Sequence, residues 1–200
     1  MDHRHSRGEA TRLSIITTAT RLFATLGYEA ASTEVVLREC GVSRGALYHH
    51  FSSKEALFTA VLEATEEMVA ARVGEAAMAA AGPYEALRAG CAAWLALATD
   101  PVVKQIVLTD APAAVGWRKW REIDDKHALG LMKLGLAAAA AGGWLPAEMV
   151  GVYAHMLLAM LIELALLIAR ADDAAGAAAR ANQAMDTMLS GLFRDRPGAV

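Results

Sequence analysis

Apolar residues recur along the chain at intervals of three and four, the period of an amphipathic helix, and runs of Val, Ile and Thr are few. Ile15, Ala19, Leu22 and Leu26, with Ile16 and Phe23 beside them, predict a first helix that Gly27 ends. Ser32 is placed to cap a short helix through about Cys40; Gly41-Val42-Ser43 breaks it, and Ser43 caps the next, Arg44 to about His50. Ser52 with Glu55 three residues on reads as a capping box opening a long helix to about Ala80. Gly82-Pro83 starts a helix with the stripe Leu87, Cys91, Trp94, Ala98, and Asp100-Pro101 a shorter one to about Thr109, broken at Ala111-Pro112. Trp117, Trp120, Asp124, His127, Leu131, Leu134 and Ala138 step along one face of a helix that Gly142-Gly143 ends. Pro146 opens an apolar helix to about Arg170. Asp172 or Asp173 caps the last one, to about Phe193, and the tail from Arg194 to Val200 is expected to fray. The expected fold is all-α, about nine helices, with an N-terminal three-helix domain over 1–54 and a larger helical domain over 55–200.

Composition narrows the class. Hydrophobic residues make up 56% of the 200 positions and charged residues 20%, which excludes disorder, and 45 alanines reinforce the helical reading. Two cysteines, Cys40 and Cys91, make no disulfide scaffold and point to a reducing, cytoplasmic setting. Val150–Ala169 has bilayer-spanning length, but His155 and Glu163 interrupt it and no basic cluster flanks it, so a helix buried on both sides of a soluble protein is expected, with no membrane partner.

A net charge of −3 does not suggest a nucleic-acid binder until it is divided. Residues 1–54 carry 7 Lys/Arg against 5 Asp/Glu, and residues 55–200 carry 12 against 17. The basic part is short and N-terminal, where Arg4, Arg7 and Arg12 are expected to form an arm near a phosphate backbone.

Two short helices joined by a glycine-containing turn over residues 32–51 make a helix-turn-helix arrangement. Val36 and Cys40 share one face of the first, Leu47 and Phe51 one face of the second, and Val42 seals the corner. Arg44, Gly45, Tyr48 and His49 are left pointing outward. Arg forks onto a guanine edge, Tyr and His hold phosphates, and the small Gly45 and Ala46 let the helix sit deep in a major groove. The helix starts at Ser43 and Ser53 offer N–H groups to phosphate, and Lys54 adds charge at the second.

The run Gly41-Val42-Ser43-Arg44-Gly45-Ala46-Leu47-Tyr48-His49-His50-Phe51, followed by Ser53-Lys54-Glu55-Ala56-Leu57, resembles the N-terminal domain of the TetR/AcrR family of bacterial transcriptional regulators. Ala31, Leu37 and Cys40 depart from residues common in that family. The resemblance implies a repressor, homodimeric through its last two helices, that binds a palindromic double-stranded operator and releases it when a small molecule binds. It places Arg44 at a base-reading position, Tyr48, His49 and Lys54 at phosphate positions, and Ser32 and Thr33 at secondary backbone contacts.

For the dimer, the small residues Ala154, Ala159 and Ala165 suit close approach, and the last helix adds Ala181, Met185, Met188 and Leu192. For a largely apolar effector, Trp94, Trp117, Trp120 and Met156 are candidate walls, and Asp124, His127 and Glu163 candidate polar groups. Glu163 needs a partner if buried, and Arg121 or His155 is placed to serve. No catalytic motif, metal-ligand spacing or cofactor loop is present in the sequence, so no enzyme, metal or cofactor is expected. The rival reading is a helix-turn-helix regulator whose C-terminal domain answers to a protein partner and holds no pocket.

Overall fold

The computed structural model describes residues 2–193, with side chains from residue 8 onward. The side chains of the arm residues Arg4 and Arg7, and the tail from Arg194, therefore lie outside the described part. Nine helices follow one another among the described residues. They are α1 (Asp2–Ala30), α2 (Thr33–Cys40), α3 (Arg44–His50), α4 (Lys54–Met78), α5 (Pro83–Leu97), α6 (103–114), α7 (117–141), α8 (Val150–Arg170) and α9 (Ala174–Leu192).

The chain divides into two compact units. The first holds the residues up to Thr65 together with Pro101–Trp120; the second holds Glu66–Asp100 and the chain from Arg121 on. The boundary expected at 54/55 is thus displaced by eleven residues along α4. The cause is the apolar face of that helix: Leu57, Phe58, Val61 and Leu62 are each no more than 1% exposed and belong to the first core. α6, which the sequence placed in the C-terminal domain, joins them through Val103, Ile106 and Val107.

In the first unit Phe23, Tyr28 and Phe58 form an aromatic cluster, with Phe58 edge-on to Phe23 at 5.1 Å and to Tyr28 at 4.9 Å. Gly27 bends the end of α1 with φ 78° and ψ 164°, a backbone region open to glycine alone. The bend frees the Tyr28 amide from the helix ladder, and its N–H donates to Asp110 Oδ2 of α6 at 2.7 Å. Gln105 Nε2 holds the other oxygen of Asp110 at 3.0 Å. One carboxylate thus closes the kink and fastens α1 to α6. Gly27→Ala is expected to cost about 1–3 kcal/mol from the backbone alone. Its new Cβ would also stand 3.4 Å from Gln105 Nε2. A urea midpoint equal to that of the parent protein would contradict this.

α6 passes through Ala111-Pro112 without the expected break. Its first part, Val103–Asp110, is wound as a π-helix, and the Ala111 N–H reaches back five residues to Ile106 O. Pro112 then falls in the first turn of the α segment Ala111–Ala114, where a missing donor costs little. The capping box at Ser52 is also corrected. Ser53 Oγ accepts from Ala56 N at 3.0 Å, so the cap sits one residue later and Glu55 falls out of register for a reciprocal bond.

The second unit packs α5, α8, α9 and the later part of α7 together. α7 contains a π turn, Asp125–Leu129, between the α segments Trp117–Asp124 and Gly130–Ala141. The wider turn takes in one extra residue and rotates everything after it. The expected stripe of Leu131, Leu134 and Ala138 is accordingly replaced by Met132, Leu136 and Ala139, which are buried, while Leu134 is 69% exposed.

α8 is long and apolar enough to cross a membrane, yet half of its apolar stretch is buried inside the fold. Its inward face carries Ala154, Leu157, Leu158, Leu161, Ile162 and Ala165. Its other face exposes Val152, Met156 and Leu167. In α9, capped by Asp173 through Gly176 N at 2.8 Å, the residues Ala181, Met185 and Leu189 are inward.

Candidate nucleic-acid interface and cavity

Each helix of the 32–51 motif is set by local bonds its sequence provides. Ser32 Oγ accepts from Val35 N at 3.3 Å to start α2, and Gly41, in the left-handed region at φ 66°, ends it. Ser43 Oγ accepts from Ala46 N at 3.2 Å to start α3. Val36, Leu47 and Phe51 are inward, at 1%, 1% and 4% exposure. A seven-residue helix has little intrinsic stability, so Leu47 and the Ser43 cap hold α3 in place.

What remains outward on α3 is Arg44, Gly45, Tyr48 and His49. The Arg44 guanidinium lies 5.5 Å from the Tyr48 ring centre, so the two side chains stand together on one exposed face. Ser43 is exposed, while Ser32, Thr33 and Ala46 are half-buried. Lys54 is placed differently. Its Nζ donates to Glu29 O at 3.1 Å and sits 4.4 Å from the Tyr28 ring, so its charge is held against the end of α1. Arg12 covers the Phe51 ring at 5.5 Å.

The second unit contains a cavity of about 370 Å³. Its walls are apolar: Val69 and Val73 of α4, Leu87 and Trp94 of α5, Met132 of α7, and Leu158 and Leu161 of α8. Trp94 is fixed by donating from Nε1 to Leu161 O at 3.3 Å. Cys91 also lines the cavity, and burial pushes its thiol up to about 12.

Three groups give the cavity a polar end: Glu66, Asp124 and His127. Glu66 is 1% exposed and its Oε1 has no hydrogen-bond partner. Burial first, and the neighbouring Asp124 second, push its carboxyl up to about 8. Asp124 is 2% exposed, and burial raises it to about 6 although Arg121 Nη1, at 3.4 Å, opposes the shift. Arg121 also holds Asp125 at 3.3 Å. His127 Nε2 is buried without a partner. Among the described residues no three His, Cys, Asp or Glu side chains group as a metal site.

Of the effector residues expected from sequence, Trp94, Asp124 and His127 line this cavity. Trp117 and Trp120 do not. Both belong to the first unit, Trp117 63% exposed and Trp120 buried, with rings 4.7 Å apart. Met156 and Glu163 lie on the outward face of α8, Met156 at 57% exposure, and line no part of it. Exposure relieves Glu163 of any need for a buried partner, and Arg121 is engaged elsewhere.

The dimer residues also separate. Ala154, Ala165, Ala181 and Met185 are packed inside the unit, because the inward faces of α8 and α9 use them; Ala159 and Met188 are exposed, and Leu192 is half-buried. Sequence reasoning missed Glu66. It sits in the acidic stretch Glu63 to Glu67, which reads as a solvated face. The usable signal was its register, four residues after Leu62 and three before Val69, both core.

A capped two-helix motif with a small, exposed Arg/Tyr/His face defines a helix-turn-helix DNA-binding protein. Comparison with known proteins makes this definite. A profile described as "Bacterial regulatory proteins, tetR family" matches residues 15–61, and one described as "Tetracyclin repressor-like, C-terminal domain" matches residues 84–192. The chain belongs to the TetR family of transcriptional regulators.

The HTH-type transcriptional regulator UidR of Escherichia coli is 37% identical over 75 residues, a match spanning 38% of this chain and 38% of UidR. The chain thus spans little more than a third of that relative's length in the match. A TetR-family transcriptional regulator from Pectobacterium atrosepticum has the same fold, with TM-score 0.84 and 27% identity, covering 96% of this chain and 98% of that one. AibR, solved in complex with isovaleryl coenzyme A and operator DNA, superposes with TM-score 0.60 at 25% identity, covering 92% and 98%.

Proposed function

We propose that the protein is a cytoplasmic transcriptional repressor that binds a palindromic operator as a homodimer and releases it when a small, largely apolar molecule occupies the cavity. The observation that carries this reading is the outward face of α3, where Arg44, Tyr48 and His49 stand clear of the fold on a helix anchored by Leu47, Phe51 and its Ser43 cap. Arg44 reads a base edge. Tyr48, His49, Ser43 and, from the preceding helix, Ser32 and Thr33 contact the backbone, while Gly45 and Ala46 keep the helix slim enough for the groove. Lys54 acts chiefly by buttressing α1 and contributes its charge at the edge of this face.

The exposed apolar face of α8, Val152, Met156, Ala159 and Leu167, with Met188 of α9, supports pairing with a second copy. Pairing must set two copies of α3 about 34 Å apart, one turn of DNA. The cavity favours a small-molecule effector; a C-terminal domain built for a protein partner would have no use for a 370 Å³ space.

A gel shift on the DNA beside its own gene tests this, with salt varied. Salt-sensitive binding to a dimeric site is expected. Tyr48→Ala should weaken binding to all sequences alike, and Arg44→Ala should cost about 1–3 kcal/mol at the base pair it reads and relax preference there. Unaltered base preference in Arg44→Ala would remove its reading role, and no binding at any dimeric site would sink the proposal.

A further inference from the structure

The polar end of the cavity specifies the effector more narrowly than its apolar walls do. Glu66 presents a buried carboxyl oxygen with no protein partner into the cavity, and Asp124 lies in the same wall. The charged and titratable groups facing them can be enumerated. α7 brings His127 to the lining and sets Arg121 and Asp125 against Asp124, α5 brings Cys91, and the lining residues of α8, Leu158 and Leu161, bring none. Arg121 is the one arginine or lysine of this group, and it is spent on Asp124 and Asp125 at 3.4 and 3.3 Å. Glu66 has no cation left to it.

From this geometry we infer that the effector is an apolar amine, bound as its ammonium form, with N–H donated to Glu66 and its hydrocarbon body on Val69, Leu87 and Trp94. The inference rests on the effector-cavity reading given above. An acid or phosphate ligand would add a third negative charge beside one already committed guanidinium, and has no donor of matching charge. A neutral alcohol can bond to Glu66 but brings no positive charge against Asp124 and Asp125, which share one guanidinium. An ammonium supplies both charge and donors, and charge-assisted bonds of this kind are about twice as strong as neutral ones.

In the empty cavity at pH 7 Glu66 is held protonated by its burial. The arriving ammonium keeps its protons, and Glu66 gives its own to solvent, so one proton is released for each amine bound. Amine affinity therefore rises with pH up to about 8. A neutral ligand shows neither effect.

The test is calorimetric titration of the full chain with three probes of the same shape: phenylbutylamine, phenylbutanol and phenylbutanoate. The amine is expected to bind at least about tenfold tighter than the alcohol, with the acid weakest, and to release about one proton, read from titrations in two buffers of different ionisation heat. In Glu66→Gln the amine-over-alcohol ratio should fall about tenfold and the proton release should vanish. If the alcohol or the acid binds as tightly as the amine, or if Glu66→Gln leaves the ratio unchanged, the amine assignment is overturned while the effector cavity stands. If none of the three binds and none alters operator affinity, both are overturned.

Discussion

Glu66→Gln is expected to stabilise the protein at pH 8 by a few kcal/mol and to do so progressively less as pH falls toward 5. In the unfolded chain Glu66 ionises near the ordinary glutamate value of 4.5, whereas in the fold its carboxyl is pushed up to about 8. Between those values the folded state holds a proton that the unfolded state has lost. Stability with respect to this group is therefore full below about 4.5, falls as pH rises, and levels off above about 8. Glutamine carries the same shape without the ionisable proton and escapes the loss. Asp124, raised from 3.8 to about 6, adds a decline of the same sign at lower pH, which the variant retains. Urea titrations of both proteins at several pH values measure the difference directly. A gap that stays constant from pH 5 to 8 would mean that Glu66 is ionised and partnered in the fold, contrary to this account.

The second large effect belongs to the DNA-reading unit. Phe58→Ala should cost about 3–5 kcal/mol. The ring is completely buried and edge-packed on both Phe23 and Tyr28, so its removal empties the centre of the aromatic cluster rather than one side of it. Tyr28 follows the Gly27 kink, and its ring also lies under the Lys54 ammonium. The loss therefore reaches the end of α1 as well as α4. Operator affinity should fall along with the urea midpoint. Phe58→Leu, which refills most of the volume, should recover the larger part of both. A fully stable Phe58→Ala protein would show that the cluster is not what holds α1 to α4.

The motif was legible in sequence because its instructions are local. Ser32, Gly41 and Ser43 act on residues no more than four positions away, and Val36, Leu47 and Phe51 mark the inner face by spacing alone. The cavity was legible only in part. Trp94, Asp124 and His127 lay on the expected stripes, and the structure brings them together. Glu66 was hidden because one carboxylate among several gives no sign of which one faces inward. Glu163 misled for the opposite reason: surrounded by leucines, it reads as buried, while α8 turns that side outward. Whether an apolar helix hides all its faces within one chain depends on its neighbours, which spacing does not record.

The π turn at Asp125–Leu129 has a consequence for comparing this chain with others. In an ordinary helix, deleting one residue turns every later side chain by about a quarter of a revolution, so such changes are seldom accepted. Here the helix already carries one residue more than an α turn needs, directly beside the polar end of the cavity. A relative lacking one residue in this stretch would run as plain α-helix, with Asp124 and Met132 on the faces they hold here and only the cavity wall at His127 and Ala128 changed. Genes that differ by a single codon at this place would keep the same fold and present a differently shaped pocket.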